Sequence, residues 1–345
     1  MTHNPPVPSA EAPADGGGQA LPVAPALSVA PSDTSTSIVI EPPTGPQIEV
    51  GALGVTAYPD LVYATREDAN GQDRPLRLDL LVGQTPGVKP LVVYVPGGGF
   101  LISPKESALN RRAFVADAGY AVASVEHRTV HEGATYREVV ADVKSAIRFL
   151  RAHGAQYGID TSNVAIWGES AGGYLAAMVG ATNAVVAFET SDNSEFSSEV
   201  QAVVDYFGPA DLLNLAIDFD LATRQAHLRP GTHTAAFVFG PGTDKSLGDA
   251  PGVVEAANPA RYVTATTPPF LLFHGGADNI ISPSQTLTLH NTLLEHGVES
   301  TRYVLTGAAH GDLAAMLGDP EGALPWSTQE LLGYVTAFLE KHLRS

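Results

Sequence analysis

The chain of 345 residues has 37 acidic and 19 basic side chains, a formal net charge of −18, and no cysteine. Such an acidic surface repels phosphate backbones and anionic lipids, which argues against binding to nucleic acid or to a membrane surface. Without thiols the chain can form no disulfide and no thiolate metal site, and no apolar run approaches the roughly 20 residues of a membrane-spanning helix.

Residues 1–47 are rich in proline, alanine, serine and glycine, a composition that is typical of a disordered tail. The segment lacks the basic start and the apolar core of a secretory signal. We therefore expect a cytoplasmic protein, or a secreted one if a native signal has been removed. The folded domain is expected to span residues 48–345.

Within this domain, short apolar runs alternate with helical patterns. The runs, each of strand length, cover residues 76–81, 91–95, 121–125, 164–167, 203–207, 270–273 and 301–305. Helices are predicted up to Gly119, over 136–153 and 171–178, from a cap at 282–285 to Gly297, and after a cap at 327–330. The alternation predicts an α/β fold with a mostly parallel central sheet and helices on both faces. Residues 209–257 show no sustained period, and we expect them to form a small cap-like insertion over one end of the sheet.

A candidate nucleophile lies in the segment IWGESAGG, residues 166–173, where a predicted strand meets a predicted helix. A G-x-S-x-G motif in this setting is typical of a nucleophile elbow, a strained turn that presents the serine hydroxyl at a helix N-terminus. The flanking Gly168 and Gly172 lack a Cβ atom, so strand and helix can approach closely. Ser170 is thus the predicted nucleophile. The alternative is a close-packed, capped helix start without a chemical role.

A serine nucleophile needs a histidine base, which we expect in a loop after a strand near the C-terminus. His310, in TGAAHGD, has that position, whereas His296 and His342 lie at predicted helix ends. His127 and His131 are spaced four residues apart in a predicted loop without a nearby acidic ligand pattern. We therefore expect no metal site there.

The base needs an acid that fixes its tautomer. Asp278, in FLLFHGGADNIISP, follows a predicted buried strand and is the preferred candidate. Asp205 and Asp211, near the end of the preceding strand, stay open as rivals, and Asp278 could also be an ordinary turn residue. His274 is expected to belong to the turn scaffold. The chain order serine, aspartate, histidine is the order found in α/β-hydrolases.

The segment PGGGF after the strand at 91–95 is the candidate oxyanion hole. We expect the backbone N–H groups of Gly98, Gly99 and Ala171 to point at the developing negative charge, each contributing roughly 3–4 kcal/mol of transition-state stabilisation. A flexible glycine turn is the alternative. Phe100 and Tyr174 are expected either to line the substrate pocket or to belong to the core.

These parts together resemble the α/β-hydrolase esterases related to hormone-sensitive lipase, and above all the branch of bacterial carboxylesterases and feruloyl- or acetyl-xylan-type esterases. The similarity runs from about Val62 to the C-terminus through the glycine loop, YGIDTSNVAIWGESAGGYLAA, DYFGPADL, ANPARYVTATTPPFLLFHGGADNIISP and GAAHGD. The resemblance implies the α/β-hydrolase fold and a Ser-His-Asp triad. The chain departs from the family at Pro96, where a histidine usually begins the loop, at His127 and Arg128, where a tyrosine-arginine pair is usual, and in the insertion.

We predict a serine carboxylic-ester hydrolase that acts on small-molecule esters with small to medium acyl groups through an acyl-enzyme intermediate. This mechanism needs no metal or organic cofactor. The alternatives are a lactonase, amidase or peptidase that uses the same triad, and a non-catalytic binding module on a hydrolase fold. The oligomeric state, including a homodimer, stays open.

Overall fold

The computed structural model describes residues 25–48, 54–68, 71–183 and 185–344. The strands in this part of the chain are β1 (Ile38–Ile40), β2 (Val55–Glu67), β3 (Asp73–Gly83), β4 (Lys89–Val95), β5 (Ala121–Val125), β6 (Ile159–Glu169), β7 (Ala202–Tyr206), β8 (Phe270–Gly275) and β9 (Ser300–Leu305). They form one sheet in the order β1-β9-β8-β7-β6-β4-β5-β3-β2. All neighbouring pairs are parallel except β3 with β5 and β3 with β2, which are antiparallel.

Helices cover both faces of this sheet, as the alternating pattern predicts. The α-helices of the described residues are α1 (Leu109–Asp117), α2 (Tyr136–His153), α3 (Ala171–Ala181), α4 (Leu221–His227), α5 (His233–Phe239), α6 (Pro251–Glu255), α7 (Ser284–Glu295), α8 (Gly311–Met316), α9 (Pro320–Ala323) and α10 (Gln329–Leu343). The strand β4 shows why both faces are apolar: Leu91 and Val93 pack with the helices α2 and α3, whereas Val92 and Tyr94 pack with α1 and α10. None of the helices that the structure describes is both long enough and apolar enough to cross a bilayer.

The chain joins this fold earlier than the predicted boundary at residue 48. The strand β1 pairs in parallel with β9 and forms one edge of the sheet. Further upstream, the Ala26 N–H donates to the carbonyl oxygen of Asn279 at 2.8 Å, and the Ala30 N–H donates to that of Asp218 at 2.7 Å. The sequence did not predict β1, because a strand of three residues among prolines and serines is too short to show a periodic pattern. The remainder of the predicted tail, residues 1–24, lies outside the described residues.

The predicted cap of the helix α7 is wrong. The helix begins after Pro283 without a side-chain cap. Instead of closing a capping box, the Gln285 side chain accepts from the backbone N–H groups of Ala210 and Asp211 at 2.9 and 2.8 Å. Two backbone donors in the segment after β7, one of them on the buried Ala210, need an acceptor, and this demand from outside the helix outweighs the local motif.

The cap of α10 is likewise displaced by one residue. The Thr328 hydroxyl, and not that of Ser327, accepts from the Leu331 N–H at 3.3 Å. Ser327 is engaged elsewhere, because its hydroxyl accepts from a guanidinium nitrogen of Arg111 at 3.1 Å. The residue that matches a cap motif can therefore be recruited by a distant partner.

The segment 209–257 contains the three short helices α4, α5 and α6 joined by turns. The helix α5 packs against the loop after β4, where the ring of Phe237 stacks on that of Phe100 with centroids 3.8 Å apart and planes 6° apart. The segment is thus in direct contact with the glycine-rich loop beside the candidate nucleophile.

Candidate active site

Ser170 lies between β6 and α3 in a strained backbone conformation, with φ 55° and ψ −123°. Its N–H donates to the Tyr206 carbonyl oxygen at 2.9 Å, which fixes the turn to the neighbouring strand. A Cβ atom at Gly168 would lie 2.0 Å from the Gly172 carbonyl oxygen, and one at Gly172 would lie 2.0 Å from that of Val95. Both glycines are therefore required by the close approach of helix and sheet.

The structure brings the three predicted triad side chains together. Nε2 of His310 lies 2.9 Å from Oγ of Ser170, and Nδ1 of His310 lies 2.7 Å from Oδ2 of Asp278. Each residue follows a different strand, β6, β8 or β9, at the carboxyl edge of the parallel sheet. Such a chain of hydrogen bonds from carboxylate to imidazole to hydroxyl can move a proton away from the serine as it attacks.

The carboxylate of Asp278 is fully buried and has four donors around it. Oδ1 accepts from the backbone N–H groups of Ile280 and Ile281 at 2.9 and 3.0 Å. Oδ2 faces Nδ1 of His310 and, at 3.3 Å, Nε2 of His274. Burial alone would raise the pKa of Asp278, but the charge of His310 and the hydrogen bonds from both histidines hold the pKa well below its usual value. The group is therefore a carboxylate at neutral pH.

The contact of His274 with the candidate acid was not predicted from the sequence. Nδ1 of His274 lies 2.9 Å from Oγ1 of Thr286, and Nε2 lies 3.0 Å from the Ile281 carbonyl oxygen as well as near Asp278. Burial lowers the pKa of His274, so its imidazole is neutral at pH 7. The sequence signal was the spacing of four residues between this histidine and the aspartate. In the structure His274 and His310 contact the same carboxylate oxygen of the acid.

The two rival carboxylates make other contacts. Asp205 is buried below the start of α3, where Oδ1 accepts from the Gly208 N–H at 2.8 Å. Burial raises the pKa of Asp205 to about 7. Asp211 is partly exposed, and its Oδ2 accepts from the Asn214 side-chain amide at 2.7 Å. Among the contacts that the structure describes, neither carboxylate reaches a histidine.

The glycine-rich loop turns sharply beside the serine. Gly98 and Gly99 have φ values of 152° and 59°, which glycine adopts without strain, and Phe100 has a φ of 65°, which is strained for a residue with a side chain. A Cβ atom at Gly97 would lie 3.3 Å from Cβ of Ser170, so the loop passes directly over the candidate nucleophile.

The predicted oxyanion donors lie around this point. Within the described ranges, the backbone N–H groups of Gly98 and Gly99 donate to no protein acceptor. Ala171 is the first residue of α3, where no preceding turn offers an acceptor for its N–H. These donors are available to an anion that forms near the serine hydroxyl.

Phe100 and Tyr174 are both buried, which favours the core interpretation of these two aromatic residues. The Tyr174 hydroxyl donates to the Ala257 carbonyl oxygen at 2.6 Å, and its ring packs edge-on against Phe100 with centroids 5.4 Å apart. Phe237 of α5 completes the cluster. The three rings join the segment 209–257 to the nucleophile helix and to the glycine loop, and contact of Phe100 or Tyr174 with substrate stays a prediction.

His127 and Arg128, two of the departures from the family pattern, are held by contacts with neighbouring elements, one of them with the loop after β4. Nδ1 of the buried His127 lies 2.8 Å from the Arg128 carbonyl oxygen, and the backbone N–H of His127 donates to the Ser103 hydroxyl. Arg128 forms an ion pair with the buried Asp142 at 2.9 Å. Within the described residues no group of three or more histidine and acidic side chains is arranged to hold a metal ion.

Comparison with known proteins links these features to ester hydrolases. The family model described as BD-FAE matches residues 78–293. The chain is 29% identical over 261 residues to a probable isoprenylcysteine alpha-carbonyl methylesterase of Arabidopsis thaliana, an alignment that covers 75% of this chain and 52% of that protein. It is also 29% identical over 263 residues to the esterase LipQ of Mycobacterium tuberculosis, covering 74% of this chain and 58% of LipQ. The chain thus spans little more than half the length of these relatives.

Solved structures share the architecture. A truncated carbohydrate esterase from gut microbiota superposes with a TM-score of 0.67 at 25% identity, covering 84% of this chain and 97% of that one. An esterase of Thermogutta terrifontis superposes with a TM-score of 0.60 at 22% identity, covering 84% of this chain and 92% of its own, a likeness of fold alone. With the observed sheet order, these similarities confirm the predicted α/β-hydrolase fold.

Proposed function

The chain belongs to the BD-FAE family, and on that premise we propose that it is a serine hydrolase of carboxylic esters. The observation that carries the proposal is the unbroken series of hydrogen bonds from Asp278 through His310 to Ser170. Two further features support it: unengaged backbone donors in the adjacent glycine loop and the esterase names of the relatives.

In the first half of the proposed reaction, His310 accepts the proton of Ser170 as its Oγ attacks the ester carbonyl carbon. The N–H groups of Gly98, Gly99 and Ala171 then stabilise the negative oxygen of the tetrahedral intermediate. When the carbon–oxygen bond to the alcohol breaks, His310 returns the proton to the departing oxygen. The products of this half are the free alcohol and an acyl group on the serine.

In the second half, water attacks the acyl-enzyme, and His310 removes the proton from that water. A second tetrahedral intermediate collapses to the carboxylic acid, and the serine recovers its proton from the imidazolium. Asp278 remains ionised throughout, in agreement with its lowered pKa, and stabilises the positive imidazolium in both halves.

The proposed substrates are uncharged small-molecule esters with small to medium acyl groups. The net charge of −18 opposes the approach of anionic esters. Residues 209–257 are proposed to act as a cap whose Phe237 touches the glycine loop and so limits the acyl side of the pocket. A series of p-nitrophenyl esters from acetate to octanoate tests this proposal: kcat/KM should peak at a short or medium acyl chain, and a steady rise with chain length would contradict it.

The nucleophile is tested by Ser170→Ala with Ser197→Ala as the matched control. Ser197 is an exposed serine in the loop before β7, at the opposite end of that strand from the triad. Wild type and Ser197→Ala should hydrolyse p-nitrophenyl butyrate and take up one fluorophosphonate label, whereas Ser170→Ala should lose turnover about 10⁴-fold or more and bind no label. Normal turnover in Ser170→Ala would refute the assignment.

The bond that is cleaved is tested with a matched ester, lactone and anilide of one acyl group. Ester cleavage should be fastest, because the alcohol leaves more readily than an amine that needs protonation first. Faster hydrolysis of the anilide would reassign the protein as an amidase or peptidase, and faster opening of the lactone would reassign it as a lactonase.

A further inference from the structure

A buried arginine joins the two segments that carry the proposed nucleophile and base. Arg111 of α1 is 2% exposed. Its Nη2 donates to Oε2 of Glu169 at 2.7 Å and to Oδ2 of Asp312 at 3.0 Å, and its Nη1 donates to Oδ1 of Asp312 at 3.0 Å. One guanidinium therefore bridges two carboxylates from distant parts of the chain, with a two-pronged contact to the second.

Both carboxylates adjoin the proposed triad in the sequence. Glu169 immediately precedes Ser170, and Asp312 follows His310 by two residues in the first turn of α8. The segments that carry Ser170 and His310 are 140 residues apart in the chain. The ion pairs of Arg111 are thus a direct link between the nucleophile turn and the histidine loop that does not pass through the triad itself.

The glutamate side of this link is enclosed and the aspartate side is open. The Glu169 side chain is 13% exposed, and its Oε1 accepts a hydrogen bond from the Tyr94 hydroxyl. The Asp312 side chain is 60% exposed. Burial alone would lower the pKa of Arg111, but the nearby negative charges of Glu169 and Asp312 hold the pKa above its usual value, so the guanidinium is always charged. Removing it would leave a largely enclosed carboxylate without its counter-charge.

We propose that Arg111 is a positioning residue for the hydrolysis proposed above: it holds the turn of Ser170 and the loop of His310 at the separation that proton transfer requires. The expected effect of Arg111 on kcat rests on the proposed function. Its role in holding the two segments together rests on its contacts alone. Hydroxyl and imidazole must stay within hydrogen-bond reach for general-base catalysis. A displacement of about 1 Å can lower the rate about 100-fold.

The neighbouring Arg112 provides the matched control. It lies on the same helix and is 1% exposed, its Nε donates to the Ser107 carbonyl oxygen at 2.8 Å, and it donates no described hydrogen bond to Glu169 or Asp312. Arg111→Ala should lower kcat about 10- to 100-fold with KM changed less than about twofold. Arg112→Ala should keep kcat within about threefold even if its stability falls. Equal kcat losses in the two variants would overturn the proposal.

Chemical rescue separates positioning from general stability. Guanidinium chloride, far below denaturing concentration, should restore part of the kcat of Arg111→Ala because it can re-enter between the two carboxylates, and the same concentration of urea or sodium chloride should not. Arg112→Ala should show no rescue. If Arg111→Ala is poorly folded, Asp312→Asn weakens the exposed half of the link, because it removes the charge and one of the two acceptor oxygens, and it should lower kcat about 3- to 10-fold. Unchanged kcat in a folded Asp312→Asn would count against the proposal.

Hydrogen–deuterium exchange tests the inference without any substrate. The peptide covering residues 306–319 should exchange faster in Arg111→Ala than in Arg112→Ala, because only the former frees the histidine loop. If the wild type hydrolyses no ester but the two variants still differ in exchange, the proposed function is refuted and the link through Arg111 stands. Unaltered exchange in this peptide would refute the link whatever the activity.

Discussion

At the scale of single residues, the candidate nucleophile stores backbone strain. A φ of 55° with ψ −123° at a serine costs about 1–3 kcal/mol, which the surrounding packing must supply. The Ser170 N–H donates to the Tyr206 carbonyl oxygen and so holds the turn. Because Gly168 and Gly172 have no Cβ atom, the strand and the helix can approach closely enough to form it. The strain places the hydroxyl on the outside of the turn, where the imidazole of His310 can meet it.

The acid is tested by Asp278→Asn. The amide oxygen can still accept from Ile280 and Ile281, but the amide nitrogen would face Nδ1 of His310 with a donor in place of an acceptor, which disfavours the tautomer that the reaction needs. We expect kcat to fall about 10³- to 10⁴-fold with little change in thermal stability.

Asp211→Asn is the control for this experiment, because that carboxylate accepts from Asn214 and contacts no triad member. It should retain wild-type kcat. If Asp211→Asn rather than Asp278→Asn abolished turnover, the acid would be misassigned.

At the scale of elements, the nucleophile helix α3 owes its position to small residues. Its first turn packs so close to β4 that a Cβ atom at Gly172 would penetrate the Val95 carbonyl oxygen at 2.0 Å. The aromatic cluster of Phe100, Tyr174 and Phe237 holds the same helix from its other side. Helix and glycine loop are therefore fixed as one unit.

Two glycine substitutions test this close packing. Gly172→Ala should destabilise the fold by more than about 2 kcal/mol and lower kcat, because backbone atoms would have to move. Gly333→Ala, in the interior of α10 with no atom within 4 Å of the added methyl, should stabilise it by up to about 1 kcal/mol with kcat unchanged. Thermal denaturation of the two variants measures both effects, and a neutral Gly172→Ala would contradict the packing argument.

Elements whose pattern is local were predicted from the sequence, and elements that depend on distant partners were not. The strand β5 and the helix α2 have the predicted bounds, since an apolar run and a helical period each carry their own signal. The caps at 282–285 and 327–330 were placed wrongly because Gln285 and Ser327 bond to residues more than 70 positions away. The strand β1 was missed because, among the described strands, it pairs with β9 alone, which is distant in the sequence.

The residues of the candidate site also fall into a group that was predicted from the sequence and a group that was not. The triad residues lie in recognisable motifs in a recognisable order, and the structure places them in contact, although their catalytic roles stay predictions. The supports of the site were not predicted. The link of Arg111 to Glu169 and Asp312, like the contact of His274 with the acid, arises only when separate strands and helices meet.

At the scale of the whole molecule, residues 25–48 are hydrogen-bonded to the edge of the domain at β9. Thr36 accepts from the His290 ring at 2.9 Å through its carbonyl oxygen, and the Ser37 hydroxyl accepts from the buried Arg302 at 2.6 Å. Further upstream, the Ala26 N–H donates to the carbonyl oxygen of Asn279, the residue next to the candidate acid. The segment contributes both to the sheet and to the loop that carries Asp278.

A truncation tests this contribution. A chain of residues 49–345 should melt at least about 4 °C below one of residues 25–345, because it loses the sheet edge and the Ser37 hydroxyl that accepts from the buried Arg302. Its kcat should also fall, since the Asp278 loop loses a bond to the Ala26 N–H. Equal melting temperatures would show that the segment adds nothing to the stability of the domain.

The pairing of β1 with β9 also bears on how the protein is made. The edge strand β1 is translated before β2 to β8, yet the strand that it joins, Ser300–Leu305, is translated after all of them. During synthesis the nascent chain must carry this apolar tripeptide unpaired while seven other strands assemble. Docking of β1 is therefore expected to be a late step that waits for the synthesis of β9, and it completes one edge of the sheet with the first of the described strands to be made.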